Sequence, residues 1–145
     1  MGAEIARKVA APLALATSAV ALAGCMGGTV TSYRLMRDAE SLGSLATEGE
    51  IVAGAVPKGK TTVAYTHTHA DELASKTEKL TEVLESATPE PDLREKTDRL
   101  IHLSRRASQA LELLVDHSED PAVAKRVESE LSDISDAASK IEESA

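Results

Sequence analysis

The chain has 145 residues, with 16 basic and 24 acidic side chains and a formal net charge of −8, and its only aromatic residues are two tyrosines. The acidic balance argues against a nucleic-acid partner, because phosphate binding requires a basic surface, and so few rings leave little to stack on a base, a flavin or a sugar. Cys25 is the only cysteine, which excludes an intrachain disulfide and a multi-cysteine zinc module. No cofactor is predicted.

The first 24 residues differ in character from the rest of the chain. A short start carrying Arg7 and Lys8 precedes an uncharged segment, Val9 to Ala23. This segment is short for a membrane-spanning helix, which takes about 20 apolar residues, but it has the length typical of the apolar region of a secretory signal peptide. Leu22 and Ala23 are the last two residues of this segment, and Gly24 and Cys25 follow them.

These four residues, behind a basic start and an apolar stretch, resemble the lipobox of bacterial lipoproteins. The resemblance covers the signal peptide alone, residues 1–24, and the cysteine that follows it. It implies that the Cys25 sulfur, as the nucleophile, receives a diacylglycerol thioether and that residues 1–24 are removed. The protein would then be lipid-anchored to a bacterial membrane and exposed outside the cytoplasm, in the periplasm or on the cell surface. The alternative is an idle or buried cysteine after an alanine-rich helix.

Residues 25–28 are interpreted as the lipid attachment site and a short hinge, and residues 29–145 as the mature domain. Three breaks divide that domain, at Pro57–Lys60, Thr88–Pro91 and Asp120–Pro121. Thr88 and Asp120 are placed as helix N-caps, and the proline after each suits the first helical position. The breaks predict helical stretches over residues 29–56, 61–87, 89–117 and 121 to near the C-terminus.

Small and apolar residues recur in each stretch at strictly alternating steps of three and four. This is a heptad seam, which lets helices pack side by side at a shallow angle. Short breaks between helices of matching length favour antiparallel neighbours, so we expect an all-α, up-down-up-down four-helix bundle. The alternative is a three-helix bundle with a loose first helix. The seam residues are Leu35, Ala39, Leu42, Ala46, Gly49, Ala53, Val56; Val63, Thr66, Ala70, Leu73, Thr77, Leu80, Leu84, Ala87; Leu93, Thr97, Leu100, Ser104, Ala107, Leu111, Leu114; and Ala124, Val127, Leu131, Ile134, Ala138, Ile141.

The first helix is predicted to be the weakest, since glycine costs about 1 kcal/mol relative to alanine inside a helix. It carries three glycines, at positions 43, 49 and 54, so fraying over residues 42–56 is expected. On the third helix, Leu103, Leu113 and Val115 are expected to be exposed and to widen its apolar stripe. Self-association through that stripe is therefore possible.

His67, His69 and His117 are weak candidates for metal ligands. His67 and His69 lie two residues apart, so on a helix their side chains diverge by about 200° and share one ion only with help from other helices. His117 belongs to an acidic turn. The more ordinary interpretation of all three is a solvated helix surface.

No signature of catalysis is present. The sequence has no glycine-rich phosphate loop and no nucleophile elbow, and its carboxylates are expected on solvated helix faces. We therefore expect a non-enzymatic, membrane-anchored lipoprotein that binds membrane lipid through Cys25 and serves as an interaction or scaffold module for a protein partner in the cell envelope. The alternative is a metal- or small-ligand-binding lipoprotein that uses the histidines. The break at residues 88–91 and Glu142 and Glu143 are expected near the membrane, and the loops at 57–60 and 116–120 away from it.

Overall fold

A computed structural model describes residues 28–145 and confirms the all-α four-helix bundle. Each helix packs against its two neighbours in the cyclic order α1–α2–α3–α4, and the most extensive interfaces join α1 to α4 and α2 to α3. Because α1 packs on both α2 and α4, the three-helix alternative is wrong. The helices are α1 (Ser32–Ala55), α2 (Val63–Ser86), α3 (Arg94–Asp116) and α4 (Pro121–Ser144), and two short strands, β1 (Thr29–Val30) and β2 (Thr88–Pro89), pair in parallel.

Three of the four helices begin at a side-chain cap. The Thr31 hydroxyl accepts a hydrogen bond from the Arg34 amide, and Thr62 accepts one from Tyr65 in the same way. The Asp120 carboxylate accepts hydrogen bonds from two amides, the shorter at 2.8 Å. Such caps satisfy amides that have no partner within the helix. The predicted cap and proline at positions 120 and 121 are confirmed.

The start of α3 differs from the prediction. Thr88 and Pro89 form strand β2 instead of a cap and a first helical residue, and α3 begins at Arg94 without a side-chain cap. Two prolines explain the delay, because a residue that precedes proline is driven away from helical geometry, and this applies to both Thr88 and Glu90. The predicted first helix likewise starts late, since Thr29 and Val30 form β1.

The core follows the predicted seam, with departures in α1, α2 and α3. All predicted seam residues of α3 and α4 are buried. In the first two stretches Val63 is 49% exposed, and the remaining departures are half-buried: Val56, Leu80 and Ala87. Leu103 was expected on the surface, but it is buried, and Leu113 and Val115 are half-buried against the core. The reason is that α3 packs on both α2 and α4, which covers a stripe wider than one seam. That stripe therefore offers less apolar surface for self-association than the sequence predicts.

The hydroxyl groups within the seam bond to one another or to the backbone. Between α2 and α3, Thr81 Oγ1 lies 2.8 Å from Ser104 Oγ, and both hydroxyls lie within hydrogen-bond distance of the Thr77 carbonyl. Thr77 itself donates to the Leu73 carbonyl at 2.8 Å. Polar groups bonded in this way are tolerated in a core, which explains the small polar residues in the seam.

Gly49 is a point of close approach between helices. A Cβ atom added there would lie 2.8 Å from Leu111 Cδ2 and 2.8 Å from Leu131 Cδ1, closer than packed atoms normally come. Both leucines are fully buried. A Cβ added at Gly43 would instead lie 3.9 Å from its nearest neighbour, which is ordinary contact. Gly49 therefore lowers the helix propensity of α1, but it also leaves the space that the Leu111 and Leu131 side chains occupy.

Candidate functional site

The chain enters the bundle through a short backbone clamp. The Thr88 amide donates to the Gly28 carbonyl at 3.2 Å, and the Glu90 amide donates to the Val30 carbonyl at 3.2 Å. The Val30 side chain is fully buried. The chain is therefore fixed from Gly28 onward, through backbone and core contacts together.

One end of the bundle, which we call the clamped end, comprises β1, β2, the first two turns of α3 and the last turn of α4. The Lys96 ammonium of α3 donates to the Ser144 carbonyl of α4, which joins these two helix ends. The predicted grouping of the 88–91 break with the C-terminal end of the chain is confirmed. The opposite end, the loop end, comprises the connections 56–62 and 117–120.

The sequence-predicted lipid site lies outside the described residues. Leu22, Ala23, Gly24 and Cys25 all precede Gly28, where the description begins. The lipobox thus stays a prediction from the sequence.

A cleft of about 290 Å³ opens between α3 and α4 at the clamped end. Its apolar side is formed by Ala137 and Ile141, and Ile141 is almost fully buried. Three cationic side chains line it, Lys96 and Arg99 from α3 and Lys140 from α4. We call this the α3/α4 cleft; Glu95 and Ser144 complete its lining.

The cations of the α3/α4 cleft have no ion-pair partner within the described chain. None of the three lies within 4.0 Å of a carboxylate oxygen among residues 28–145. In a neighbouring cleft between the same helices, one of the two cations, Arg106, is paired with Glu130 at 2.7 Å, and the other is Arg126. The α3/α4 cleft therefore presents a cluster of ammonium and guanidinium groups that remain able to bind an anion.

This cleft is not evident from the amino-acid sequence alone. Lys96 and Arg99 are three residues apart and share one face of α3, which is a signal that sequence spacing carries. Lys140 is far away along the chain and joins them only because α3 and α4 are antiparallel neighbours. That contact requires the tertiary structure.

The loop end carries exposed apolar side chains. Ile51 is 68% exposed and Tyr65 is 52% exposed, and both line a shallow groove beside Lys60. Lys58 Nζ lies 3.9 Å from Glu128 Oε1, so an ion pair joins the connection 56–62 to α4. Gly59 has a φ of 62°, a left-handed conformation that glycine adopts without strain.

The histidines named as weak metal candidates are not gathered into one site. His67 and His117 are exposed, and the His69 ring contacts the Tyr65 ring in a tilted arrangement, with centroids 4.3 Å apart and planes at 54°. Within residues 28–145, no group of three or more histidine, cysteine or acidic side chains is arranged to hold a metal ion. The geometry of the described residues gives the histidine-based alternative no support.

Comparisons with known proteins give no match: no protein-family model, no curated protein and no solved structure is similar to this chain at a significant level. None of the helices described between residues 28 and 145 is both long and apolar enough to span a membrane.

Proposed function

We propose that the protein is a bacterial lipoprotein whose acylated Cys25 anchors a non-catalytic, helical interaction domain to a membrane, outside the cytoplasm. One observation carries the proposal: Leu22, Ala23, Gly24 and Cys25 match a lipobox directly behind a basic start and an uncharged segment. Acyl chains on this sulfur would hold the protein by burying methylene groups, each contributing about 0.8 kcal/mol.

The geometry of the clamp supports a close attachment. Cys25 lies three residues before Gly28, where the chain is already hydrogen-bonded to β2. An anchor at Cys25 would therefore keep the clamped end beside the membrane. Helix α1 has 24 residues, and at 1.5 Å per residue it would carry the loop end about 36 Å away from the lipid.

The loop end is the surface that we propose for a protein partner in the cell envelope. It lies farthest from the anchor, and the exposed Ile51 and Tyr65 provide apolar area there. Aromatic and large aliphatic side chains contribute disproportionately to protein interfaces. The chain would thus place its contact surface within reach of proteins beyond the lipid headgroups.

Metabolic labelling with radioactive palmitate tests the anchor. The wild-type chain expressed in a bacterial host should be labelled and should shorten on processing, and Cys25→Ser should lose both, because serine lacks the thiol that takes the lipid. Met26→Ser is the matched control, since it makes an equivalent change beside the cysteine and should remain labelled. Label on the Cys25→Ser protein, or a wild-type precursor that never shortens, would contradict the proposal.

Photo-crosslinking in intact cells tests the partner surface. A photoreactive amino acid at Tyr65 should give a discrete crosslinked product with an envelope protein. The same amino acid at Val83, which is 39% exposed and lies toward the clamped end of α2, serves as the control. Equal crosslinking from both positions would argue against a contact surface at the loop end.

A further inference from the structure

The cations of the α3/α4 cleft are grouped near one end of the bundle along its axis. Lys96 and Arg99 are the third and sixth residues of α3, and Lys140 is four residues from the end of α4. At 1.5 Å per residue, all three Cα atoms lie within about 8 Å of the helix ends. This is the end to which Gly28 is fixed.

That depth matches the headgroup layer of a membrane. A bilayer measures about 40–45 Å with its headgroups and about 30 Å without them, so each headgroup layer is about 5–8 Å thick. A domain whose clamped end meets the hydrocarbon boundary therefore places these cations among lipid phosphates. The apolar side chains of Ala137 and Ile141 are adjacent to the charges.

The donors of the cleft suit a phosphate group. The Lys96 ammonium uses one of its three hydrogens on the Ser144 carbonyl, and Arg99 provides a planar set of N–H groups that matches phosphate oxygens. Glu95 is the one carboxylate of the lining, so positive charge prevails there. The chain as a whole has a net charge of −8, which makes a general attraction to anions an insufficient explanation for binding at this place.

We propose that the α3/α4 cleft binds the phosphate of an anionic lipid headgroup and so fixes the orientation of the bundle on the membrane. The inference rests on the proposed function, because the anchor at Cys25 brings the cleft to the lipid surface. The acyl chains on Cys25 keep the domain close to the membrane, and the cleft makes a second contact that fixes its orientation. Two such contacts hold a domain more firmly than one, since the second forms at high effective concentration.

Lysine footprinting on the acylated full chain tests this contact. The protein is reconstituted into vesicles of phosphatidylcholine alone, or with a third of the lipid replaced by phosphatidylglycerol, and treated with a water-soluble amine-acylating reagent. We expect Lys96 and Lys140 to react about threefold or more slowly in the anionic vesicles. The negatively charged surface attracts both ammonium groups, and an ammonium held against a headgroup phosphate is less accessible to the reagent. Lys60 and Lys125, toward the loop end, should react at the same rate in both.

Two arginine variants separate the cleft from general electrostatics. Arg99→Gln should remove most of the protection at Lys96 and Lys140. Arg105→Gln makes the same change on another face of α3, where Arg105 pairs with Glu85 at 2.7 Å, and it should leave the protection intact. Equal loss of protection in both variants would overturn the proposal, as would equal slowing at all four lysines or no slowing at any.

The intact mass of the reconstituted protein distinguishes failure of the cleft from failure of the anchor. A mass without acyl chains contradicts the proposed function itself. A mass with acyl chains but unprotected lysines contradicts the cleft alone. Inorganic phosphate added to the phosphatidylcholine vesicles is the last arm: if it protects Lys96 and Lys140 as well as phosphatidylglycerol does, the ligand is free phosphate and the headgroup assignment is wrong.

Discussion

The two ends of the bundle are built in different ways. At the clamped end the backbone is fixed by strand hydrogen bonds, Val30 is fully buried, and the cations of the α3/α4 cleft have no carboxylate partner among the described residues. At the loop end Lys58 is paired with Glu128, and large apolar side chains such as Ile51 are exposed. The two ends therefore differ in how the backbone is fixed and in whether the cations are paired, whereas exposed apolar side chains occur at both, since Tyr33 at the start of α1 is 66% exposed.

The largest effect is expected where the clamp meets the core. Val30→Ala should lower the free energy of unfolding by about 2 kcal/mol, because it removes buried methyl groups worth about 0.8 kcal/mol each and leaves a small cavity. Val63→Ala is the matched control at the loop end, where the valine is 49% exposed. It should change stability by less than about 0.5 kcal/mol. Urea unfolding of both variants gives the comparison.

Hydrogen exchange measures how firmly the clamp is closed, one amide at a time. The Thr88 and Glu90 amides donate to Gly28 and Val30, so they should exchange slowly in the wild-type chain and faster in Val30→Ala. If these amides exchange fast in the wild type, the clamp is open in solution. The clamped end would then be no better fixed than the loop end.

The glycines of α1 give an effect of intermediate size. Gly49→Ala should lower the free energy of unfolding by about 1 kcal/mol, because the new Cβ overpacks against Leu111 and Leu131 at a cost of about 2 kcal/mol, which exceeds the gain in helix propensity of about 1 kcal/mol. Gly43→Ala has room for the Cβ and should gain about 0.5–1 kcal/mol. Thermal unfolding measures both. Equal stabilisation by the two changes would show that Gly49 weakens α1 and contributes nothing to packing.

The sequence predicts most of the architecture because the bundle is a periodic structure. A heptad seam indicates which residues face inward, and the seam residues predicted for α3 and α4 are all buried. The seam does not indicate that α3 has a second buried face. For this reason the sequence predicts Leu103 on the surface. A cap followed by proline also does not reveal the effect of a second proline two residues later. Thr88 is therefore predicted as an N-cap and Pro89 as the first helical residue, whereas both form β2.

The candidate sites divide along the same line. Cys25 can be proposed from the sequence because a lipobox is a local motif of four consecutive residues. The α3/α4 cleft was not found, because Lys140 meets Lys96 and Arg99 only after α3 and α4 have packed. The clamp was missed for the same reason, since two residues of β1 carry no signal until β2 lies beside them.

The smallest expected effect concerns a carboxylate in α1 near the clamped end. Asp38 Oδ2 is buried without a hydrogen bond and lies 3.6 Å from Arg34 Nε. Burial raises the pKa of Asp38 above its ordinary value of 3.8, against the opposing attraction of Arg34 and Arg37. The folded chain therefore holds this proton more tightly than the unfolded chain, so the contribution of Asp38 to stability is greatest below pH 3.8 and falls as the pH rises through the raised pKa.

Asp38→Asn should accordingly match the wild type in acid and exceed its stability at neutral pH, by less than either of the preceding changes. Urea unfolding at the two pH values measures the difference, and Glu40→Gln removes the same charge from an exposed position of α1 as a control. A variant less stable than the wild type at neutral pH would mean that the ion pair with Arg34 outweighs the cost of burial. The clamped end would then gain stability from its carboxylate, and its charges would be arranged for folding as well as for binding.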